Sequence, residues 1–160
     1  MNMKKTAWKI YAFWIGLAEG AGALSGFLTR EGTQLYRMAV EKPPLSPPGV
    51  VFPIVWAILY ALMGIGAARV YQTPPSGERT RALGLFLLQL GFNFFWSIWF
   101  FNARLYGFAL VWLAALWLLV LGMIRAFRRV DPLAARLQIP YLLWVSFAAY
   151  LNWGVWLLNR

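Results

Sequence analysis

The sequence predicts an all-α integral membrane protein: a bundle of five transmembrane helices that takes up residues 1–160 as one membrane domain. Hydrophobic residues make up 61% of the chain and charged residues 12%, with a mean hydropathy of +0.60. A soluble domain is nearer half apolar and a quarter charged. Spanning a bilayer takes roughly 20 apolar residues per helix, and five runs are long enough: approximately residues 6–28, 50–70, 82–101, 105–124 and 134–158. Barrel strands would be shorter and would alternate in polarity.

The first run resembles a cleavable signal peptide, because Lys4 and Lys5 precede an apolar stretch and small residues. The acidic Glu19 and apolar residues that continue through Leu28 favour a membrane helix instead. Glu19 is the only acidic residue inside a predicted span, so it must be neutral, paired or functional. Four glycines at small-xxx-small spacings allow close helix packing, either within the chain or in a homodimer: Gly16, Gly20, Gly22 and Gly26.

The first connection, residues 29–49, is the longest polar segment, and it ends in two proline pairs. A connection longer than about 12 residues is often functional, although it can also be a solvated connector. Proline fixes φ and lacks a backbone donor, so residues 42–48, which we call the strap, should be stiff and extended. We expect the strap to act as a lid over a ligand cavity, with the lid residues Pro43, Pro44, Leu45, Pro47 and Pro48.

The net charge of +10 would suggest a nucleic-acid partner in a soluble protein. Here the basic residues lie at helix ends, the pattern of membrane topology, so we predict a lipid bilayer and no nucleic acid. The N-terminus and the second and fourth loops carry ten basic residues: Lys4, Lys5, Lys9, Arg69, Arg79, Arg81, Arg125, Arg128, Arg129 and Arg136. The other side carries five: Arg30, Arg37, Lys42, Arg104 and Arg160. This bias predicts that the first side is cytoplasmic.

The chain contains neither cysteine nor histidine. Disulfides, thiol chemistry and zinc sites are therefore excluded, and we predict no metal site and no required cofactor. The usual histidine ligand of haem is also excluded, although tyrosine or methionine ligation is not.

Aromatic residues are abundant, with 10 Trp, 7 Tyr and 12 Phe. Many should lie at the membrane interfaces, but several share helix faces with amides, which are costly to expose to lipid. These inward stripes are Pro53, Trp56, Tyr60 and Met63; Gln89, Asn93, Trp96 and Phe100; and Tyr141, Trp144, Ala148, Asn152 and Val155. They are typical of an apolar cavity for a flat aromatic ligand. The alternative is a well-packed core with satisfied amides.

Four segments together resemble the TspO/MBR family, the tryptophan-rich sensory proteins related to the mitochondrial translocator protein, or peripheral benzodiazepine receptor. They are KPPLSPPG, VWAILYALMGIGAA, QLGFNFFWSIWFFNAR and DPLAARLQIPYLLWVSFAAYLNWGVW. The resemblance implies a five-helix bundle in a bacterial membrane, commonly a homodimer, with a cavity under the first loop. Its ligands would be porphyrins such as protoporphyrin IX and other flat hydrophobic molecules.

Matching motif positions imply six ligand-binding residues: Tyr36, Trp56, Asn93, Trp144, Phe147 and Ala148. Leu45 stands where relatives commonly carry a tryptophan, so Leu45→Trp should tighten porphyrin binding if that side chain faces the cavity.

The resemblance implies a receptor or sensor linked to tetrapyrrole and pigment regulation or to stress responses. One alternative is light-dependent porphyrin degradation, with Trp144 as the candidate catalytic residue. Another is tetrapyrrole or lipid transport. No acid–base or metal constellation in the sequence supports ordinary catalysis, so the residues favour a receptor over an enzyme.

Overall fold

A computed structural model describes residues 3–160, which are mostly helical, with no strand among them. Residues 1–2 and the side chains of residues 3–5 lie outside that description, including Lys4 and Lys5 of the charge argument. The helices are α1 Met3–Leu28, α2 Arg30–Ala39, α3 Val51–Tyr71, α4 Gly77–Ser97, α5 Tyr106–Val130, α6 Pro132–Arg136 and α7 Ile139–Leu158. A π-helical turn, Ile98–Asn102, continues α4. The predicted all-α fold is confirmed.

Four helical segments of residues 3–160 are long and apolar enough to cross a membrane: Val51–Tyr71, Gly77–Asn102, Tyr106–Val130 and Pro132–Leu158. The fifth predicted span forms α1, whose 26 residues give a length of about 39 Å at about 1.5 Å per residue. That length exceeds the bilayer core of about 30 Å. Helix α1, which carries Glu19 and four glycines, is not among those four segments.

Helix α1 packs most extensively against α3, and two glycines bring the helices together. At Gly64 of α3 there is no space for a side chain, because a Cβ would meet the backbone of Ile15. At Gly22 of α1 the ring of Tyr60 takes the corresponding space. Gly16 and Gly20 instead have open space around them. Close packing within the chain therefore involves Gly22, and a homodimer contact through the outer face of α1 stays a prediction.

The first connection differs from the predicted loop, because its first half forms α2. This helix follows α1 after Thr29, is strongly amphipathic and buries Tyr36 while most of its other residues stay half-buried or exposed. The helix was not predicted because the segment is mostly polar and its apolar side consists of only a few residues. The remaining residues, 40–50, are irregular, as the proline pairs predict.

The last predicted span is interrupted at its start, where α6 and α7 meet. Asp131 caps α6 by accepting a hydrogen bond from the Leu133 amide (3.1 Å), and its carboxylate pairs with Arg69 Nε of α3 (2.8 Å). Buried Gln138, at the junction, donates from Nε2 to the Leu62 carbonyl (3.0 Å). These polar contacts hold the start of α7 beside α3.

Candidate ligand-binding site

A groove of about 430 Å³ opens on the side of the bundle between α3 and α7. Helix α3 packs on α1 and α4, and α7 packs on α5, whereas α3 and α7 meet through large side chains rather than by close backbone packing. The groove is lined by apolar residues of both helices: Val55, Ile58, Leu59, Pro140, Leu143, Trp144 and Phe147. Its volume is within the range of about 300–1,000 Å³ found for small-molecule sites.

Aromatic rings form the wall between the groove and the interior. The Trp144 ring lies 6.5 Å from that of Trp56 at 89°, and 5.9 Å from that of Phe52 at 68°. On the other side, the Phe147 ring is 5.5 Å from Trp144. Edge-to-face contacts at such distances fix ring orientation as well as burying area. The structure therefore brings together three of the sequence-predicted residues: Trp56, Trp144 and Phe147.

Asn93 lies deeper and belongs to a hydrogen-bonded network that joins three helices. Tyr60 Oη of α3 donates to Asn93 Oδ1 (2.7 Å), and Asn93 Nδ2 donates to Tyr141 Oη of α7 (2.8 Å). Tyr141 Oη in turn donates to Gln89 Oε1 (2.7 Å), and Gln89 Nε2 approaches Met63 Sδ (3.8 Å). Asn93 and Gln89 are buried, as the stripe predicts. Their hydrogen bonds go to protein groups.

Ala148 lies on α7 one turn beyond Trp144 and is buried in the same apolar core. It is the small member of the α7 stripe, as the sequence predicts. The next polar member of that stripe, Asn152, is also satisfied: it accepts from Trp96 Nε1 (3.0 Å) and donates to the Tyr106 carbonyl (2.8 Å). The interior side of α7 is thus closely packed, and the open space lies on its groove side.

Tyr36 lies in a different place from the other predicted site residues. It belongs to a smaller apolar cluster with Phe100, Ala109 and Val155, and Lys42 Nζ lies 4.9 Å above its ring. Burial, with a smaller contribution from nearby Tyr106, raises the pKa of Tyr36 to about 12. The phenol is therefore neutral at physiological pH. Tyr36 anchors α2 to the end of the bundle and does not line the groove.

The strap is seated on the C-terminal half of α7. Pro43 is buried against Gly154, where a side chain would collide with the proline ring. Tyr150 Oη donates to the Pro44 carbonyl (2.7 Å), and the Tyr150 ring stacks on Phe147 of the groove (6.1 Å, 30°). Tyr150 therefore connects the strap to the groove wall.

A second point of attachment for the strap lies at the end of α7. The Glu41 amide donates to Asn159 Oδ1 (3.1 Å), and Asn159 Nδ2 donates back to the Glu41 carbonyl (2.8 Å). This reciprocal pair fixes the start of the strap against α7. The lid side chain Leu45, by contrast, is 82% exposed and has a positive φ of 71°.

Comparison with known proteins decides the family. The TspO/MBR family profile matches residues 14–157. The tryptophan-rich protein TspO of Chlorobaculum tepidum is 37% identical over 149 residues, covering 92% of this chain and 94% of that protein. The chain belongs to the TspO/MBR family. Two further members are the tryptophan-rich sensory protein of Cereibacter sphaeroides, 35% identical with 99% and 95% covered, and the human translocator protein, 40% identical with 88% and 85% covered.

Membership of the TspO/MBR family and the four apolar helical segments make this an integral membrane protein. Sequence reasoning missed most of the groove lining, including Ile58, Pro140 and Leu143, because it searched for amides and indoles on inward faces. These three residues are exposed and apolar, the pattern of an ordinary lipid-facing surface. Tyr150 was also missed as a strap anchor. Its position three residues after Phe147, on the same side of the helix, was the available indication.

Proposed function

We propose that this TspO/MBR protein is a membrane receptor that binds porphyrins, and similar flat hydrophobic molecules, in the α3/α7 groove. The observation that carries the proposal is the groove itself, an apolar space of about 430 Å³ bordered by Trp144 and Phe147. A planar macrocycle offers both faces and edges to such rings. The groove opens toward lipid, so a ligand dissolved in the bilayer can enter it from the side.

The strap provides a route from ligand occupancy to a sensory response. A ligand against Phe147 would press on the ring that stacks on Tyr150, whose hydroxyl holds the Pro44 carbonyl. Displacing Tyr150 would loosen the strap on one side while the Asn159 pair retains it at its start. Occupancy would then change the surface that the strap presents to a partner. Relatives carrying the name sensory protein are consistent with such a role.

Trp144→Leu should weaken protoporphyrin IX binding about tenfold, because it removes one stacking surface worth about 0.5–1.5 kcal/mol beyond its buried area. The measurement is a dark titration of purified protein in lipid nanodiscs, following the porphyrin absorption bands. Trp153→Leu is the matched control, since Trp153 is on α7, is 49% exposed and does not line the groove. Equal affinities of the two variants would show that the groove is not the site.

Light-dependent porphyrin degradation is a second candidate, favoured by the presence of the Trp144 indole in the groove wall. The same samples, saturated with porphyrin, are illuminated in air while the absorption bands are followed. Loss of the bands that disappears in Trp144→Phe would support degradation, because phenylalanine keeps an aromatic ring without the indole. Stable absorption bands would support binding without degradation.

Leu45→Trp should leave porphyrin affinity unchanged within about twofold, because a side chain this exposed is ordinarily neutral to substitution. The condition for tighter binding, a side chain that faces the cavity, is not met in this structure. The comparison is the dark titration of Leu45→Trp against Leu45→Ala. A much tighter complex with tryptophan would mean that the strap folds over the ligand on binding.

A further inference from the structure

A second pocket, of about 210 Å³, lies between α4 and α5 at the end of the bundle opposite the strap. It is formed where α4 begins and α5 ends, in the arginine-rich part of the chain that we predict to be cytoplasmic. Both helices contribute polar residues at the mouth and small or apolar residues deeper: Glu78, Arg81, Leu85, Gly122, Arg125, Ala126 and Arg129. The porphyrin proposal makes no use of this pocket.

The charge at the pocket mouth is positive and unpartnered. Three guanidinium groups face one carboxylate, and in the described part of the chain no side-chain hydrogen bond or ion pair engages Arg81, Arg125 or Arg129. Two other arginines at this end do have partners: Arg69 pairs with Asp131 (2.8 Å), and Arg79 lies over the Tyr71 ring (4.6 Å). Converging arginines without a protein partner favour an anionic ligand, and their planar forks suit phosphate oxygens.

An apolar track leads from the pocket toward the middle of the membrane. Leu85 lines the pocket on α4, and Leu88, one turn further along, is 49% exposed. Gly122 lines it on α5, and Leu118, one turn before, is 63% exposed. The surface is therefore cationic at the membrane interface and apolar directly beneath. A soluble anion would use only the first of these two parts.

We propose that this pocket binds the phosphate of an anionic phospholipid headgroup, with the acyl chains lying along the track of Leu88 and Leu118. Basic pockets between transmembrane helices at the membrane surface are suited to such headgroups. The three guanidinium groups would hold the phosphate, and Gly122 leaves room for the glycerol backbone because no atom lies within 4 Å of its Cβ position. Glu78 would disfavour a second anion and suits a headgroup of single charge.

The test is lipid retention by the purified full chain, measured by native mass spectrometry after equilibration with equal amounts of phosphatidylglycerol and phosphatidylcholine. The wild-type protein should retain phosphatidylglycerol selectively. Each arginine near an anionic headgroup contributes about a fivefold gain in affinity, so replacing Arg81, Arg125 and Arg129 by glutamine should reduce that selectivity on the order of a hundredfold. Equal retention of both lipids by the wild-type protein would overturn the proposal.

A charge-matched control separates the pocket from general attraction. Replacing Arg104, Arg128 and Arg136 by glutamine removes the same charge from exposed positions that do not line the pocket. This variant should retain phosphatidylglycerol like the wild type. If it loses selectivity as far as the pocket variant does, the binding is diffuse and the proposal is wrong.

A steric variant tests the same pocket without changing any charge. Gly122→Leu should fill the space beneath the arginines and abolish selective retention, whereas Gly84→Leu, at an exposed glycine with open space outside the pocket, should not. Unchanged retention in Gly122→Leu would overturn the proposal even if the arginine variant folds poorly.

Inorganic phosphate distinguishes a lipid from a soluble anion. The melting temperature of the detergent-solubilised protein is followed as phosphate is added, for the wild type and the pocket arginine variant. Little stabilisation by free phosphate, together with selective lipid retention, supports the headgroup. Stabilisation that requires the three arginines, without any preference for phosphatidylglycerol, would assign the pocket to a soluble anion and overturn the lipid assignment.

Discussion

Gly64→Leu should be among the most destabilising single substitutions in the bundle, lowering the free energy of unfolding by about 3 kcal/mol or more. A Cβ at Gly64 would meet the Ile15 backbone of α1, including its amide nitrogen at 2.7 Å. A flexible side chain could turn away from such a contact, but backbone atoms cannot. Helix α1 would have to move away from α3, the helix on which it packs most extensively.

The matched control for this prediction is Gly91→Leu, at an exposed glycine of α4 that has no atom within 4 Å of its Cβ position. Both substitutions replace a helical glycine by leucine, so helix propensity changes equally. The unfolding of each variant by increasing denaturing detergent, followed by circular dichroism, gives the difference in stability. Similar transitions in the two variants would show that the α1–α3 contact is looser than the structure indicates.

The sequence predicted the long helices well because each is a nearly continuous apolar run, and in a bilayer such a run has no alternative to helix. The helix of residues 30–39 was not predicted. Its sequence is mostly polar, and the few apolar residues around Tyr36 suffice only because Phe100 and Phe101 provide a surface for them. That surface comes from residues more than sixty positions away. Local pattern could not reveal it.

The glycines show the same limit at the level of single contacts. Spacing on α1 identified four residues able to allow close approach, yet the structure uses Gly22 there and leaves Gly16 and Gly20 open. Among the glycines, Gly64 of α3 is the one that lies against backbone atoms of α1, and spacing on α1 could not identify it. A sequence shows where helices can approach. The rest of the core determines which helix becomes the packing partner and which face each helix turns toward it.

The candidate site was partly predictable for a related reason. Amides among indoles correctly identified the inward faces that carry Gln89, Asn93 and Asn152. The same polarity pattern, however, suits an amide that binds a ligand and an amide that binds protein. Whether a buried amide bonds to protein or is free to bind a ligand depends on whether tyrosines of other helices lie within reach, as Tyr60 and Tyr141 do for Asn93. The groove itself is lined by side chains that resemble any lipid-facing surface.

Tyr141→Phe should lower the free energy of unfolding by about 2–4 kcal/mol, because one hydroxyl serves two buried amides. The substitution removes the hydrogen bond accepted from Asn93 and the one donated to Gln89, and it leaves both amide groups short of a partner. Tyr60→Phe removes one bond and should cost about half as much. Tyr71→Phe, at a 42% exposed residue, is the control and should be neutral.

This network also determines the geometry of the candidate site, since it joins α3 and α7 through α4 behind the groove wall. If Asn93 is a structural residue, Tyr141→Phe should reduce stability while the folded fraction still binds protoporphyrin IX within about threefold of wild-type affinity, the range of a small repacking effect. If Asn93 instead contacts the ligand, Asn93→Leu should reduce affinity far more than Tyr141→Phe at comparable stability loss. Measuring both quantities on both variants therefore separates a residue that builds the groove from one that recognises what enters it.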